Sequence, residues 1–339
     1  MSEPKSDTKF DVIAIGNAIV DVIAPVTDAF LEAEELPKGT MRLIDAERSV
    51  DLYEKMGPAQ EISGGAAANT LTGATMLGLK TAFIGQVADD QLGEIYRHDL
   101  TSVGVSFDTP ARPYGDKDSE PPTGRCLVLV APDGERTMNT SLGASQFLPA
   151  EAIDDDLIRQ SRVLFLEGYL WDPEEPRAAM RRAIEVAREA GVKIAFATCA
   201  DFCVHMHGKD FRKLIDDGLI DILFVNEEEA GILEGSDPDA ALESLAKDVP
   251  LVVMTRGGDG AVATRGDERA SVKPEPVAQV KDLTGAGDLF AAGFLSGYCR
   301  DASLEECLVR GAVAAGEVIS HWGARPEADL KAMVAKRLG

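Results

Sequence analysis

Six short apolar runs limit what this chain can fold into. They lie at residues 10–16, 81–87, 162–167, 192–197, 220–225 and 251–255, each rich in Val, Ile, Leu or Phe and each the length of one buried strand. Most are separated by segments with helical patterning, such as 174–190 and 237–247. Strands alternating with helices form βαβ units, and strands that are apolar throughout need cover on both faces. The pattern therefore predicts an α/β fold, a mostly parallel sheet between two layers of helices. The right-handed crossover rule narrows this to a layered α/β/α sandwich. Two stretches break the rhythm. Residues 20–44 hold an extended piece, a short helix and a Pro-Lys-Gly turn. Residues 105–140 show little helical pattern, and within them 125–131 and 135–140 flank Pro132-Asp133-Gly134, a strong hairpin signal. Both stretches read as extra strands that form a small β lid, built from about 18–45 and 105–140 and inserted in one domain spanning 10–339. A second hairpin is expected at 261–265 and 269–273, and residues 1–9 read as a loose tail. No internal repeat, low-complexity segment or proline-rich linker divides the chain.

Charge removes several function classes. Lys and Arg number 34 against 58 Asp and Glu, a net charge of −24. Phosphate backbones and anionic membranes need a basic face, so nucleic-acid and membrane partners are not expected. No apolar run approaches the roughly 20 residues of a membrane span. The polar first nine residues lack the apolar core of a signal peptide. The five cysteines are odd in number and form no CxxC pair, which reads as reduced thiols in a cytoplasmic protein. An acidic protein can still take a phosphorylated ligand, because helix N-termini bind anions locally.

Five segments carry chemistry. Asp282-Leu283-Thr284-Gly285-Ala286-Gly287-Asp288 precedes an apolar helical pattern. A Gly-Ala-Gly turn at a helix start exposes N–H groups that have no intrahelical partner, and the helix dipole adds partial positive charge. Such a place stabilises phosphate oxygens during transfer, and Asp288 beside it is suited to take the proton of an attacking hydroxyl. The same residues also suit a plain glycine turn with an Asp cap. In Ser63-Gly64-Gly65-Ala66-Ala67-Ala68-Asn69-Thr70 the glycine pair lets a ligand approach the backbone, and Asn69 offers a donor and an acceptor. An alanine-rich buried helix after a turn is the other reading. Asn17 and Asp21 follow the first strand, where open α/β sheets bind ligands, and Asp21 can accept two hydroxyl hydrogen bonds. Asn226-Glu227-Glu228-Glu229 places Asn226 and Glu229 on one helix face, either to orient water on magnesium or as a solvated acidic first turn. Thr255-Arg256-Gly257-Gly258-Asp259-Gly260 follows another strand, and its glycines allow a nucleotide to lie against the backbone or simply form a turn. No GxxxxGK[ST] and no strict GxGxxG occurs, which counts against P-loop and dinucleotide-binding folds.

The order of these five segments resembles the PfkB family of carbohydrate and nucleoside kinases, with its ribokinase-like fold, from about residue 10 to the C-terminus. GGAAANT at 64–70 is similar to the family's N-terminal signature and DLTGAGDLFAAGF at 282–294 to its C-terminal one. Leu283 departs from the smaller or β-branched residue usual there. The resemblance implies an ATP-dependent kinase with Asp288 as base and the amides of Gly285, Ala286 and Gly287 as an anion hole. It implies that Asp21, Gly64, Gly65 and Asn69 hold a sugar's hydroxyls, with Asn17 behind them. Thr255, Gly257, Gly260 and Gly323 would line the ATP site. Asn226 and Glu229 would act through Mg²⁺ and its waters. Asp282 and Thr284 would ligate a monovalent cation such as K⁺. Arg136, on the lid hairpin, is suited to neutralise the transferring phosphoryl group or to make a surface ion pair.

Residues 16–45 and 166–171 resemble the adenosine kinase branch, in which Tyr169 would pack on the acceptor's base. The expected reaction is therefore transfer of the γ-phosphate to a primary hydroxyl of a nucleoside, adenosine 5′-OH first. The alternative acceptor is ribose, fructose or a keto-deoxy sugar acid. A non-catalytic sensor fits poorly with the retained Asp288, and a Rossmann oxidoreductase with the missing fingerprint. Cys199, Cys203, His205 and His207 have a zinc-like spacing, but in the resembling branch they occupy a strand-to-helix loop. A monomer or a lid-mediated homodimer is expected.

Overall fold

The computed structural model describes residues 8–115 and 121–339. Residues 1–7 of the expected 1–9 tail lie outside the described residues, and Lys9 donates its N–H to Gln160 O at 2.8 Å. The first half runs β1 (Phe10–Ile15), β2 (Ile19–Pro25), α1 (Asp28–Ala33), β3 (Met41–Leu43), α2 (Ala46–Lys55), β4 (Gln60–Gly64), α3 (Ala66–Met76), β5 (Thr81–Ile84), α4 (Gln91–Ser102), β6 (Gly124–Val130), β7 (Arg136–Ser141), α5 (Asp155–Arg159) and β8 (Ser161–Glu167). The second half runs α6 (Glu174–Ala190), β9 (Lys193–Ala197), α7 (Asp201–Asp216), β10 (Ile222–Asn226), α8 (Glu227–Glu234), α9 (Pro238–Asp248), β11 (Leu251–Thr255), β12 (Ala261–Arg265), β13 (Glu268–Val272), α10 (Ala286–Tyr298), α11 (Leu304–Val318) and α12 (Leu330–Leu338).

Eight strands form the main sheet in the order β13-β12-β11-β10-β9-β8-β1-β5. All pair in parallel except β12 and β13, which are the late hairpin. Strand alternation builds a core on each face. Val12 and Ala14 of β1 join one core with α3, α10 and α11, and Ile13 and Ile15 join the other with α6 and α7. The helices follow local rules. In α6, Ala179, Met180, Ala183, Ile184 and Ala187 make one apolar stripe, and Gly191 ends the helix in the left-handed conformation at φ 68°. From β1 the chain crosses to β5 on one side, and β8 lies on the other. The crevice beyond the C-terminal ends of β1 and β8 is therefore a topological switch point, the usual ligand position of an open α/β sheet.

A second sheet, β3-β7-β6-β2-β4, makes the lid. Its β6–β7 hairpin turns at Pro132-Asp133-Gly134 as the residues predict. The strand β4 belongs to it, pairing Ile19 with Gly64, although the glycine pair at its end had suggested only a turn. Ser106 and Arg112 instead bridge to Ala82 and Ala88, so the start of the second irregular stretch runs beside the main sheet. One face of the lid buries Val20, Val22, Leu127 and Leu129 in a core shared with Leu31 and Leu52 of α1 and α2. The other face carries Ile19, Ile23, Cys126, Val128 and Met138, in register with Asp21 and Arg136. Among the described residues no helix is long and apolar enough to cross a membrane.

Candidate active site

Backbone geometry explains why the turn before α10 needs its glycine. Gly285 caps α10 at φ 77°, and a Cβ there would sit 2.7 Å from the Cβ of Ala324. The helix then opens with Ala286, Gly287 and Asp288, so its first N–H groups point out of the helix beside the Asp288 side chain. Gly287 and Asp288 line a cavity of about 230 Å³ with Thr70, Asn226, Glu229 and Thr255. Four of the five sequence segments thus meet in one space.

The end of the cavity next to α3 is knit by direct bonds. Asn69 Nδ2 donates to Asp288 Oδ2 at 3.0 Å, and Thr70 Oγ1 donates to Asp288 O at 3.2 Å. Asn69 Oδ1 is buried and has no partner. Burial pushes the Asp288 carboxyl up to about 6, against the Asn69 hydrogen bond and the Arg325 charge. Burial also raises Asp21 to about 6, held back by Arg325 and Arg136. Gly64 lets that carboxylate lie over the backbone: a Cβ there would be 2.5 Å from Asp21 Oδ2. Gly65, at φ 92°, approaches Asn17 O so closely that a Cβ would stand 2.2 Å from it. Asn17 is engaged by the protein, donating from its N–H (2.7 Å) and Nδ2 (2.9 Å) to Glu167 Oε1 and accepting from Ser145 Oγ (2.9 Å).

Tyr169 is half-buried against Phe202, ring centroids 5.8 Å apart, and its hydroxyl donates to Cys199 O at 3.4 Å. Phe202 is 38% exposed and continues the aromatic wall outward. The Cys/His cluster does not converge: Cys203 is buried in the core, His205 faces solvent and His207 bonds Asp172.

At the nucleotide end, Asn226 and Glu229 form a capping box on α8. Glu229 is buried, not part of a solvated acidic turn, and burial raises its carboxyl. Its Oε1 accepts from Asn226 Nδ2 (2.7 Å), and its Oε2 from Asn226 N–H (3.0 Å) and Thr198 Oγ1 (2.5 Å). A carboxylate so occupied fits magnesium through the ion's waters, the mode this ion favours when phosphates supply its other ligands. Thr255 ends β11, Gly257 and Gly260 follow it, and Gly260 (φ 94°) tolerates no side chain, since a Cβ would be 2.0 Å from Val272 O.

Arg136 spans from the lid to the core. Its Nη1 lies 2.7 Å from Asp282 Oδ2, and its guanidinium sits 4.7 Å from the Trp322 ring centroid. Its Nε and Nη2 are buried without partners. Asp282 also accepts from Thr284 N–H (3.1 Å), Thr284 Oγ1 (2.8 Å) and Gly323 N–H (2.9 Å). A guanidinium already neutralises this carboxylate, so its side chain does not fit a second cation.

Sequence reasoning assigned no role to two residues here. Glu167 stands behind Asn17 at the switch point, and the signal was available: one acidic residue closing an apolar strand. Arg325 ties the C-terminal loop to the Gly-Gly segment, donating to Ser63 O, Ser63 Oγ, Ala68 O and Thr72 Oγ1. No spacing rule marks an arginine whose partners are mostly backbone carbonyls.

The sequence pattern described as "pfkB family carbohydrate kinase" matches residues 11–330. The crystal structure of adenosine kinase from Sinorhizobium meliloti is 46% identical, covers 98% of this chain and 100% of its own, and superposes with a TM-score of 0.88. A probable sugar kinase from Rhizobium etli CFN 42 is 42% identical over 97% of this chain and 98% of its own, also with a TM-score of 0.88. The 5-dehydro-2-deoxygluconokinase of Listeria monocytogenes is 28% identical over 98% of both chains.

Proposed function

The chain belongs to the pfkB family of carbohydrate kinases and is an ATP-dependent phosphotransferase with an alcohol group as acceptor; on that premise we propose that the acceptor is an uncharged nucleoside, adenosine before others, phosphorylated at its primary 5′-hydroxyl. The lid face carries this reading. An apolar surface of Ile19, Ile23, Cys126, Val128 and Met138 surrounds one carboxylate, Asp21. A flat base suits the apolar part, and a carboxylate suits the paired hydroxyls of a ribose. An acidic acceptor calls for a free cation instead. Arg136 is paired with Asp282 through Nη1, its two remaining nitrogens serve the transferred phosphoryl group, and Arg325 is taken up by Ser63, Ala68 and Thr72. The likeness to the Sinorhizobium adenosine kinase supports the same choice.

In this reading transfer is direct and in line, without a phosphorylated enzyme. Asp288, oriented by Asn69, takes the proton from the attacking hydroxyl. The amides of Gly285, Ala286 and Gly287 face the charge that builds on the transferred group. Arg136 turns its two unpartnered nitrogens, Nε and Nη2, to the phosphoryl oxygens, and Asp282 and Trp322 hold the rest of its head in place. Asp21, Gly64, Gly65 and Asn69 bind the ribose, with Asn69 Oδ1 left to accept a hydroxyl hydrogen. Tyr169 and Phe202 wall the base. Thr255, Gly257, Gly260 and Gly323 line the ATP site. Asn226 and Glu229 would hold magnesium through its waters, and the bound ion would neutralise phosphate charge.

The test is ADP release from ATP and Mg²⁺ with adenosine, other nucleosides, ribose, fructose and keto-deoxygluconate offered separately. Adenosine turnover well above the sugars is expected. Turnover of a sugar or sugar acid alone would keep the kinase and discard the nucleoside, and the Listeria relative is the reason to include the acid.

A further inference from the structure

The carboxylate of Glu167 is buried, and among the described residues no cation bonds it. It is the last residue of β8, at the switch point, and its exposure is 0%. Oε1 accepts from Asn17 N–H (2.7 Å) and Asn17 Nδ2 (2.9 Å), and Oε2 accepts from Ala67 N–H (2.7 Å), in the first turn of α3. All three donors are neutral N–H groups, and one belongs to the positive end of a helix. Burying a carboxylate is costly, and a core position that needed only volume would be filled by an apolar side chain. Three converging N–H donors on two oxygens demand a group that accepts at both ends, which an amide or a protonated acid is not.

The bonds lead to the acceptor end of the site from both sides. Through Asn17 they fix the crossing from β1 into β2, which carries Asp21 four residues on. Through Ala67 they fix the start of α3, whose Asn69 bonds Asp288. Gly16 keeps the approach open, since a Cβ there would be 2.6 Å from Glu167 Oε2 and 2.5 Å from the Ala67 Cβ.

We propose that Glu167 is a positioning residue of the transfer reaction, setting the acceptor-binding segments 16–21 and 64–70 against the base, and that it acts as the carboxylate. The catalytic part of this rests on the kinase reading above; the positioning part rests on the bonds alone. Burial raises Glu167 to about 7, with the charge on Asp288 adding to the rise. The other titratable groups that sense it are Tyr96 of α4, Tyr169 after β8, and Cys199 and Cys203 after β9. Protonation of Glu167 sets a donor against one of its three N–H partners, so the positioning weakens as pH falls through about 7.

The experiment compares wild type with Glu167→Gln and Glu167→Asp in the full chain. In Glu167→Gln, kcat/KM for the preferred acceptor is expected to fall about 10–100-fold with KM for ATP within twofold, the range seen when a supporting hydrogen-bond partner is lost. The acid limb of its pH profile is expected to lose the component nearest pH 7, and Glu167→Asp, which keeps the charge, to retain that component. Equal increases in both KM values, or a lowered melting temperature with unchanged kcat/KM, would overturn the proposal in favour of a purely structural role. Hydrogen–deuterium exchange decides the positioning without turnover. At least tenfold faster exchange in 16–21 and 64–70 of Glu167→Gln, with the start of α10 unchanged, supports it, and unchanged exchange in both segments overturns it. A wild type inactive on every acceptor sinks the nucleoside reading and leaves the exchange result to decide Glu167.

Discussion

Asp288 shows how one side chain acquires a role its sequence neighbours only suggest. As the fourth residue of a Gly-Ala-Gly-Asp run it suits a cap or a base equally well. The structure gives it no capping bond to its own helix; instead Asn69 reaches it from α3, and it lines the cavity shared with Glu229 and Thr255. Removing its charge in Asp288→Asn is expected to lower kcat about 10²- to 10⁴-fold, the usual share of a general base, with nucleoside affinity by calorimetry within a few-fold. Wild-type turnover in that variant would dismiss Asp288 as the base. The sign of the pH dependence follows from its raised carboxyl. A base must be ionised to accept a proton, so kcat/KM of the wild type is expected to rise with pH through about 6, to rise further through the Glu167 component near 7, and then to level off. A profile already flat from pH 5 would show that burial does not govern this group.

At the scale of elements, the signature that marks the family in sequence is also a packing device. Gly293 of α10 faces α11 so closely that a Cβ would stand 2.2 Å from Arg310 O, and a Cβ on Gly311 would meet Phe290 O at 2.9 Å. Gly73 of α3 meets Leu289 in the same way, with 2.5 Å to Cδ1. These contacts hold α3, α10 and α11 at fixed separations, and hence Asn69 against Asp288. Gly293→Ala is expected to destabilise by about 1–3 kcal/mol, since a backbone carbonyl cannot step aside as a side chain can. Thermal unfolding checks it, and an unchanged melting temperature would mean that α11 moves freely. Elements with strong local signals were legible from sequence: α6 matches its expected span, and both hairpins turn where their Gly and Asp residues stand. The strand β4 was not, because a five-residue strand that runs into a glycine pair looks like a loop until β2 pairs with it.

Over the whole molecule, three carboxyls at the site, the buried Glu167 and the half-buried Asp21 and Asp288, are all raised, to about 7, 6 and 6. Unfolded, such groups titrate near 4. Between these limits the folded protein holds more protons than the unfolded chain, so stability falls as pH rises. The net charge of −24 acts in the same direction through self-repulsion. The melting temperature of the ligand-free protein is therefore expected to drop from pH 5.5 to pH 8, and a rise over that range would show that cations compensate these carboxylates in solution. At more acid pH, Glu34 and Asp51, held low chiefly by Lys55 with Arg48, work the other way as they protonate. The apolar runs and glycine turns determined by themselves the layered sheet, the hairpins and the segments that carry the chemistry, because burial of apolar strands and the backbone freedom of glycine are local properties that a sequence displays. Only the tertiary structure decided that Glu167 bonds Asn17 and Ala67, that Arg325 bonds Ser63, Ala68 and Thr72, that Arg136 lies on Asp282, and that the lid offers an apolar face around one carboxylate. Those facts depend on which distant residues meet, as when residues 17 and 167 share two hydrogen bonds, and such meetings are fixed by strand order and packing across the whole chain.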